Sequence, residues 1–246
     1  MIPTHVMDVP ADFTSGNAER IDSVHGSMSR VRAVILDLVG TLLCSNDAHA
    51  HAFLEAGREM GLNVDFDTIR ALIGKGGDKL IPEAFGFSSE SKQGQRLSTR
   101  KEEIFTTRYL EQLAPTPGVR DLLLRLRDED IRRVLATSSG ESLVNRLLQQ
   151  AGVEDLIEQV TSLSNVQASK PEPDIVETAM EKVGVPADQV VMLGDTPDDV
   201  DAATRAGIHL IALRSGGWKD LELQGAAAIY DDPADLLEHY ATSLPV

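Results

Sequence analysis

Four short, mainly apolar stretches of this chain end abruptly at a polar residue, and that pattern constrains the fold more than any other feature. Val34-Ile35-Leu36 stops at Asp37, Arg133-Val134-Leu135-Ala136 stops at Thr137, Val190-Val191-Met192-Leu193 stops at Gly194-Asp195, and His209-Leu210-Ile211-Ala212-Leu213 follows the same plan. A strand with one face in water alternates apolar and polar residues, so continuous apolar runs mark strands covered on both faces. Helix-period patterns separate them, at Val119 to Leu126, Leu143 to Gln150, Ile175 to Val183 and Val200 to Ala206. Strand and helix in alternation predict an α/β fold with a doubly wound, Rossmann-like parallel sheet.

One stretch breaks the alternation. From about Ala48 to Leu113 no strand pattern occurs, only helical segments at Ala48–Met60, Phe66–Ile73, Lys79–Phe85 and Gln93–Leu113. Pro115 and Pro117 mark the return to the sheet. The expected division is an α/β core over 31–47 and 114–246, a small inserted α-helical cap over 48–113, and a polar, aperiodic, disordered extension over 1–30. A chain of 246 residues buries an ample core without disulfides or structural metal. Its single Cys44 excludes an internal disulfide framework and reads as a small buried filler.

Charge narrows the function. Lys and Arg total 23 against 39 Asp and Glu, a formal −16, which argues against nonspecific binding to nucleic acid or anionic membrane. No apolar run reaches the length of a membrane span. The first residues lack the basic start and apolar core of a secretory signal, so a cytoplasmic protein is expected.

In open α/β sheets ligands bind beyond the carboxyl ends of the strands, which directs attention to Asp37, Thr137 and Asp195, with Lys170 on a Pro-stiffened loop. Asp37, Asp195 and Asp199 converging on one crevice would repel one another without a hard cation, and oxygen ligands suit Mg²⁺. The alternative role for Asp195 and Asp198 is capping the helix near Val200. Thr137-Ser138-Ser139-Gly140 follows a strand and opens a helix, so its hydroxyls and N–H groups can cradle an anion, or merely cap.

Asp-x-x-Gly-Thr-Leu from Asp37, the strand ending in Thr137-Ser138, Ser-Lys-Pro-x-Pro from Ser169 and Gly-Asp-Thr-x-x-Asp from Gly194 occur in that order. Together they resemble the haloacid dehalogenase-like hydrolase superfamily. In particular the sequence looks like the branch with a helical cap after the first strand, which includes phosphoglycolate phosphatases and β-phosphoglucomutases. The resemblance spans about 31–232. It implies Mg²⁺ and a small phosphorylated metabolite as substrate, with Asp37 the nucleophile that becomes an aspartyl phosphate. It also implies that Thr137 and Lys170 hold the phosphoryl group. Asp37, the backbone carbonyl of Val39, Asp195 and Asp199 would form the metal site, and Thr41, Ser138, His49, Lys75 and Lys79 would contact substrate.

The sequence departs from that pattern at one position. The family's phosphatases carry a second Asp two residues after the nucleophile, to protonate the leaving oxygen, and here Val39 stands there. The departure leaves three alternatives: a slowed phosphatase, a binding or regulatory protein that keeps the fold, or carbon–phosphorus cleavage with Lys75 as a Schiff base. His49 is a candidate substitute acid.

Overall fold

The computed structural model describes residues 30–244. The expected extension over 1–30 lies outside the described residues except for Arg30. In chain order, β1 (Ala33–Leu36) leads into α1 (Asn46–Glu59), α2 (Phe66–Arg70), α3 (Gly77–Phe85) and α4 (Lys92–Ile104). The chain then returns through α5 (Val119–Asp128), β2 (Arg132–Thr137), α6 (Glu141–Ala151), β3 (Gln159–Ser162), α7 (Asp174–Val183), β4 (Val190–Gly194) and α8 (Pro197–Arg205). It ends with β5 (His209–Leu213), β6 (Ala228–Tyr230), α9 (Pro233–Glu238) and α10 (Tyr240–Ser243).

The strands form one parallel sheet ordered β3-β2-β1-β4-β5-β6, the doubly wound fold expected from the apolar runs. β1 is buried throughout, and its side chains alternate between two cores. Val34 and Leu36 pack with α1, α5 and α6, whereas Ala33 and Ile35 pack with α7 and α8. Leu36 pairs with Leu135 of β2 and Leu193 of β4, so the residues that end these three strands lie side by side at one edge of the sheet. The chain order reverses on either side of β1, which opens the crevice there.

β3 and β6 were not expected. β3 is an edge strand of mixed polarity, and β6 is three residues long and half-buried; neither has the double-sided burial that makes a strand legible. Another difference concerns the last helix of the insertion, expected to run unbroken to Leu113. α4 ends at Ile104, followed by a π turn over Phe105–Tyr109 and a 3-10 turn over Leu110–Gln112. Thr106 and Thr107 donate back to the carbonyls of Glu102 and Glu103. Such back-bonding competes with the regular helix ladder and bends it.

Two chain crossings join insertion and sheet. Cys44 N–H donates to Ala114 O at 3.0 Å, and Thr116 N–H to Leu42 O at 3.1 Å. Leu43 is buried while Cys44 turns outward. The expectation of a buried thiol is therefore corrected: the crossing against Ala114 puts this loop edge in solvent. Among the described residues no helix is long and apolar enough to cross a membrane.

Ile35 is 0% exposed at the centre of the sheet. Ile35→Ala is expected to cost about 2–5 kcal/mol, read as a lower denaturation midpoint at unchanged slope. A cost below roughly 1 kcal/mol would show that this face of β1 is not close-packed.

Candidate active site

Three strand ends and one loop build the site. Asp37 directly follows β1, and its N–H donates to Leu193 O at 2.9 Å. Thr137 ends β2, Asp195 follows β4, and Lys170 arrives on the loop before α7. Lys170, 1% exposed, places its ammonium 2.5 Å from Asp37 Oδ1 and 2.6 Å from Asp199 Oδ1. Asp199 Oδ2 accepts from the hydroxyl and N–H of Thr196 at 2.7 and 3.0 Å. Thr196 in turn accepts from Asp199 N–H, closing a capping box at the start of α8. Capping thus falls to Thr196 and Asp199, not to Asp195 and Asp198.

The carboxylate of Asp195 accepts from Thr41 Oγ1 at 2.8 Å and from Asn46 Nδ2 at 3.0 Å. Gly40 makes room for it. Its φ is +84°, and a Cβ there would lie 2.2 Å from Asp195 Oδ2. Asp37, Asp195 and Asp199 each offer an oxygen within 4.8 Å of the others. Among the described residues, Lys170 alone forms ion pairs with these carboxylates. Burial first, then Asp199, raises the carboxyl of Asp37 to about 6 despite the lysine beside it. Burial and the neighbouring Asp199 and Asp37 push Asp195 well above the usual carboxylate range. Burial would lower Lys170, but Asp199 and Asp37 outweigh it and hold the amine charged. Asn46 Oδ1, buried near Asp195, has no partner among the described residues. Hard oxygen donors, surplus negative charge and an unused acceptor fit a divalent cation.

Asp37 and Val39 open onto a cavity of about 270 Å³ between sheet and insertion. The sheet side contributes Thr137, Ser138, Ser139 and Gly140, and the insertion His49, Phe53, Leu80 and Lys101. Ser139 N–H donates to Thr137 Oγ1 at 3.2 Å, and Ser138 Oγ is buried without a partner among the described residues. The other expected contacts fall differently. Lys75 lines the cavity, with its ammonium 2.7 Å from Glu83. Lys79 is outside the lining and pairs with Glu172 at 3.1 Å. Thr41 is also outside the lining, its hydroxyl being committed to Asp195.

Nothing in the local sequence marks Lys101 or Asn46 as a site residue. Lys101 sits in the charged run Arg100–Glu103 and reads as a solvated face. The available signal was its spacing of four from both Leu97 and Phe105, which puts it on the buried stripe of α4.

The sequence model of the haloacid dehalogenase-like hydrolases matches residues 34–213. A phosphoglycolate phosphatase of Rhodospirillum rubrum is 29% identical over 215 residues, covering 83% of this chain and 89% of that one. Among solved structures, a hydrolase from Pseudomonas syringae matches with TM-score 0.79 and 29% identity, covering 86% and 98% of the two chains. CbbY from Rhodobacter sphaeroides, solved with xylulose-(1,5)bisphosphate, matches with TM-score 0.71 and 25% identity, covering 84% and 96%.

The carboxyls of Asp37 and Asp195 titrate higher in the fold than in an unfolded chain. A raised acid contributes stability at low pH that is lost as pH rises through its folded value. In chelator, the melting temperature is therefore expected to rise between pH 7.5 and pH 5, and Asp195→Asn to flatten that rise. A wild-type profile that is level or falls across the window would contradict the crowding of these acids.

Proposed function

The chain belongs to the haloacid dehalogenase-like hydrolase family, and we propose that it is a Mg²⁺-dependent phosphatase of small phosphorylated metabolites, working through an aspartyl phosphate on Asp37. One observation carries this. The Asp37 carboxylate faces a cavity between sheet and insertion, with Lys170 bound to one of its oxygens and the Thr137–Gly140 turn beside it. At about 270 Å³ the space suits a small metabolite. Phosphoglycolate and xylulose bisphosphate, named with the relatives, belong to that size and charge class.

In this mechanism Lys170 occupies Oδ1 of Asp37, and Oδ2 attacks phosphorus in line with the leaving oxygen. The Thr137 hydroxyl and the backbone N–H groups that follow it hold the phosphoryl oxygens. Lys170 offsets the charge that develops there, and fixed donors in a water-poor site stabilise that charge well. Water then attacks the aspartyl phosphate at phosphorus and returns the free carboxylate. Asp37, Asp195 and the carbonyl of Val39 would hold Mg²⁺, with Asp199 in support; when bound, the ion adds positive charge at the transferring group. The helical insertion acts as a cap, excluding water from the cavity.

Val39 can neither give nor take a proton. The absent carboxyl represents about 10²–10⁴-fold in rate, and the deficit falls on leaving groups that need protonation. The Lys75–Glu83 ion pair favours a charged contact to substrate over imine chemistry at Lys75.

Two measurements test the reading. Asp37→Asn is nearly isosteric and non-nucleophilic, so it should abolish hydrolysis of a nitrophenyl phosphate while the protein still melts cooperatively; activity near wild type, with deamidation excluded, would remove Asp37 from the reaction. Millimolar Mg²⁺ should raise the wild-type melting temperature by binding the native state, and Asp195→Asn should suppress that rise. If wild type hydrolyses neither aryl nor acyl phosphates with Mg²⁺ present, the fold serves binding instead.

A further inference from the structure

The cavity that holds Asp37 contains a second polar cluster, on the insertion, with no part in the steps above. His49 of α1 is 4% exposed, and its ring stacks on Phe105 at 4.0 Å. Its Nδ1 lies 2.9 Å from Lys101 Nζ, and its Nε2 is buried with no partner among the described residues. Lys101 makes no ion pair with a carboxylate among the described residues. Its amine lies 5.0 and 5.3 Å from the ring centres of Phe53 and Phe105. An ammonium can only donate, so Nδ1 accepts. The ring proton then sits on Nε2, the nitrogen that has nothing to donate to. His49, Lys101, Val39 and Asp37 all line the same cavity.

We propose that Lys101 and His49 form a proton relay that takes over the work of the carboxyl missing at Val39, an inference that rests on the phosphatase reading. As Asp37 attacks phosphorus and the P–O bond to the leaving group breaks, His49 Nε2–H protonates the leaving oxygen. Nδ1 simultaneously takes a proton from Lys101, leaving a neutral amine and the other ring tautomer. In the second step water gives a proton to Nε2 as it attacks the aspartyl phosphate. Nδ1 returns its proton to Lys101, and both groups end as they began. Lys101 acts only through His49, which alone meets the reacting atoms.

The electrostatics suit these roles. Burial lowers Lys101 to about 8, with Glu102 opposing the shift, so the amine is charged at neutral pH yet releases its proton far more readily than a solvated lysine. Burial and the adjacent Lys101 push His49 well below its ordinary value, so the ring passes a proton on without storing charge. The other charged groups around Lys101 are Glu102, which accepts from Ser142 at 2.9 Å, and, on the cavity wall, Asp37 and Lys75.

The test compares hydrolysis of a nitrophenyl phosphate, whose leaving group needs no acid, with that of phosphoglycolate or glycerol phosphate, whose leaving group does. Lys101→Arg keeps the charge but cannot release a proton near neutral pH. Lys101→Arg, Lys101→Met and His49→Gln are each expected to lower the alkyl-to-aryl rate ratio by roughly a hundredfold, the low end for a positioned acid–base group. In wild type, alkyl turnover should fall as pH rises through about 8, and that limb should vanish in Lys101→Arg. Melting curves identify the variants that fold, and any folded one reports through the ratio. Full alkyl turnover in Lys101→Arg would show that Lys101 only reads substrate charge, and an equal fall on both substrates would show a structural role; either overturns the relay while the phosphatase stands. A wild type inactive on both substrates overturns the phosphatase reading and the relay with it.

Discussion

One buried ammonium holds the centre of this molecule together. Lys170 is almost fully enclosed and touches two carboxylates that follow different strands. Removing it would strand Asp37 and Asp199 together in a poorly solvated space, and an unpaired buried charge typically costs several kcal/mol. Asp199 also closes the cap of α8 with its other oxygen. The cap of a helix, the Asp37 carboxylate and the local charge therefore meet at one side chain. Even so, Asp195 adds a third acid to the cluster against one lysine, and that acid surplus is the chemical basis for the cation proposed there.

The legibility of the sequence followed burial. β1, β2, β4 and β5 announced themselves because both faces are covered, which forces apolar residues at nearly every position. Asp37, Thr137 and Asp195 were legible for the converse reason: a polar residue that ends such a run can only sit at the rim of the sheet. β3 and β6 lie away from the centre, where burial imposes no run. The pairing of Lys170 with Asp37 spans more than half the chain and has no local signature; only the order of the motifs pointed to it.

Side-chain roles inside the insertion were harder to read, since the helix carrying Lys101 is mostly polar and its buried stripe is narrow. The departure from regular helix at Phe105 comes from two threonines whose hydroxyls bond to the preceding turn, a competition that hydrophobic patterning does not register. Yet Phe105 is fully buried and stacked on His49, so the ring orientation in the cavity depends on that irregular turn. Without the stacking partner the imidazole could rotate, and rotation would break its contact with Lys101.

Ser169 precedes the central lysine directly, and the insertion grips it from both sides. Its hydroxyl accepts from Gly76 N–H at 3.0 Å, and its own N–H donates to Asp78 Oδ2 at 3.2 Å. If the insertion lifts as a cap, in keeping with the proposed function, both bonds must break, which loosens the residue next to Lys170. Entry and electrostatic readiness would then share one mechanical latch, with Lys170 less firmly anchored in a parted cavity than in a shut one. In the proposed mechanism, bulk water entering a parted cavity would meet Asp37 in its less organised state.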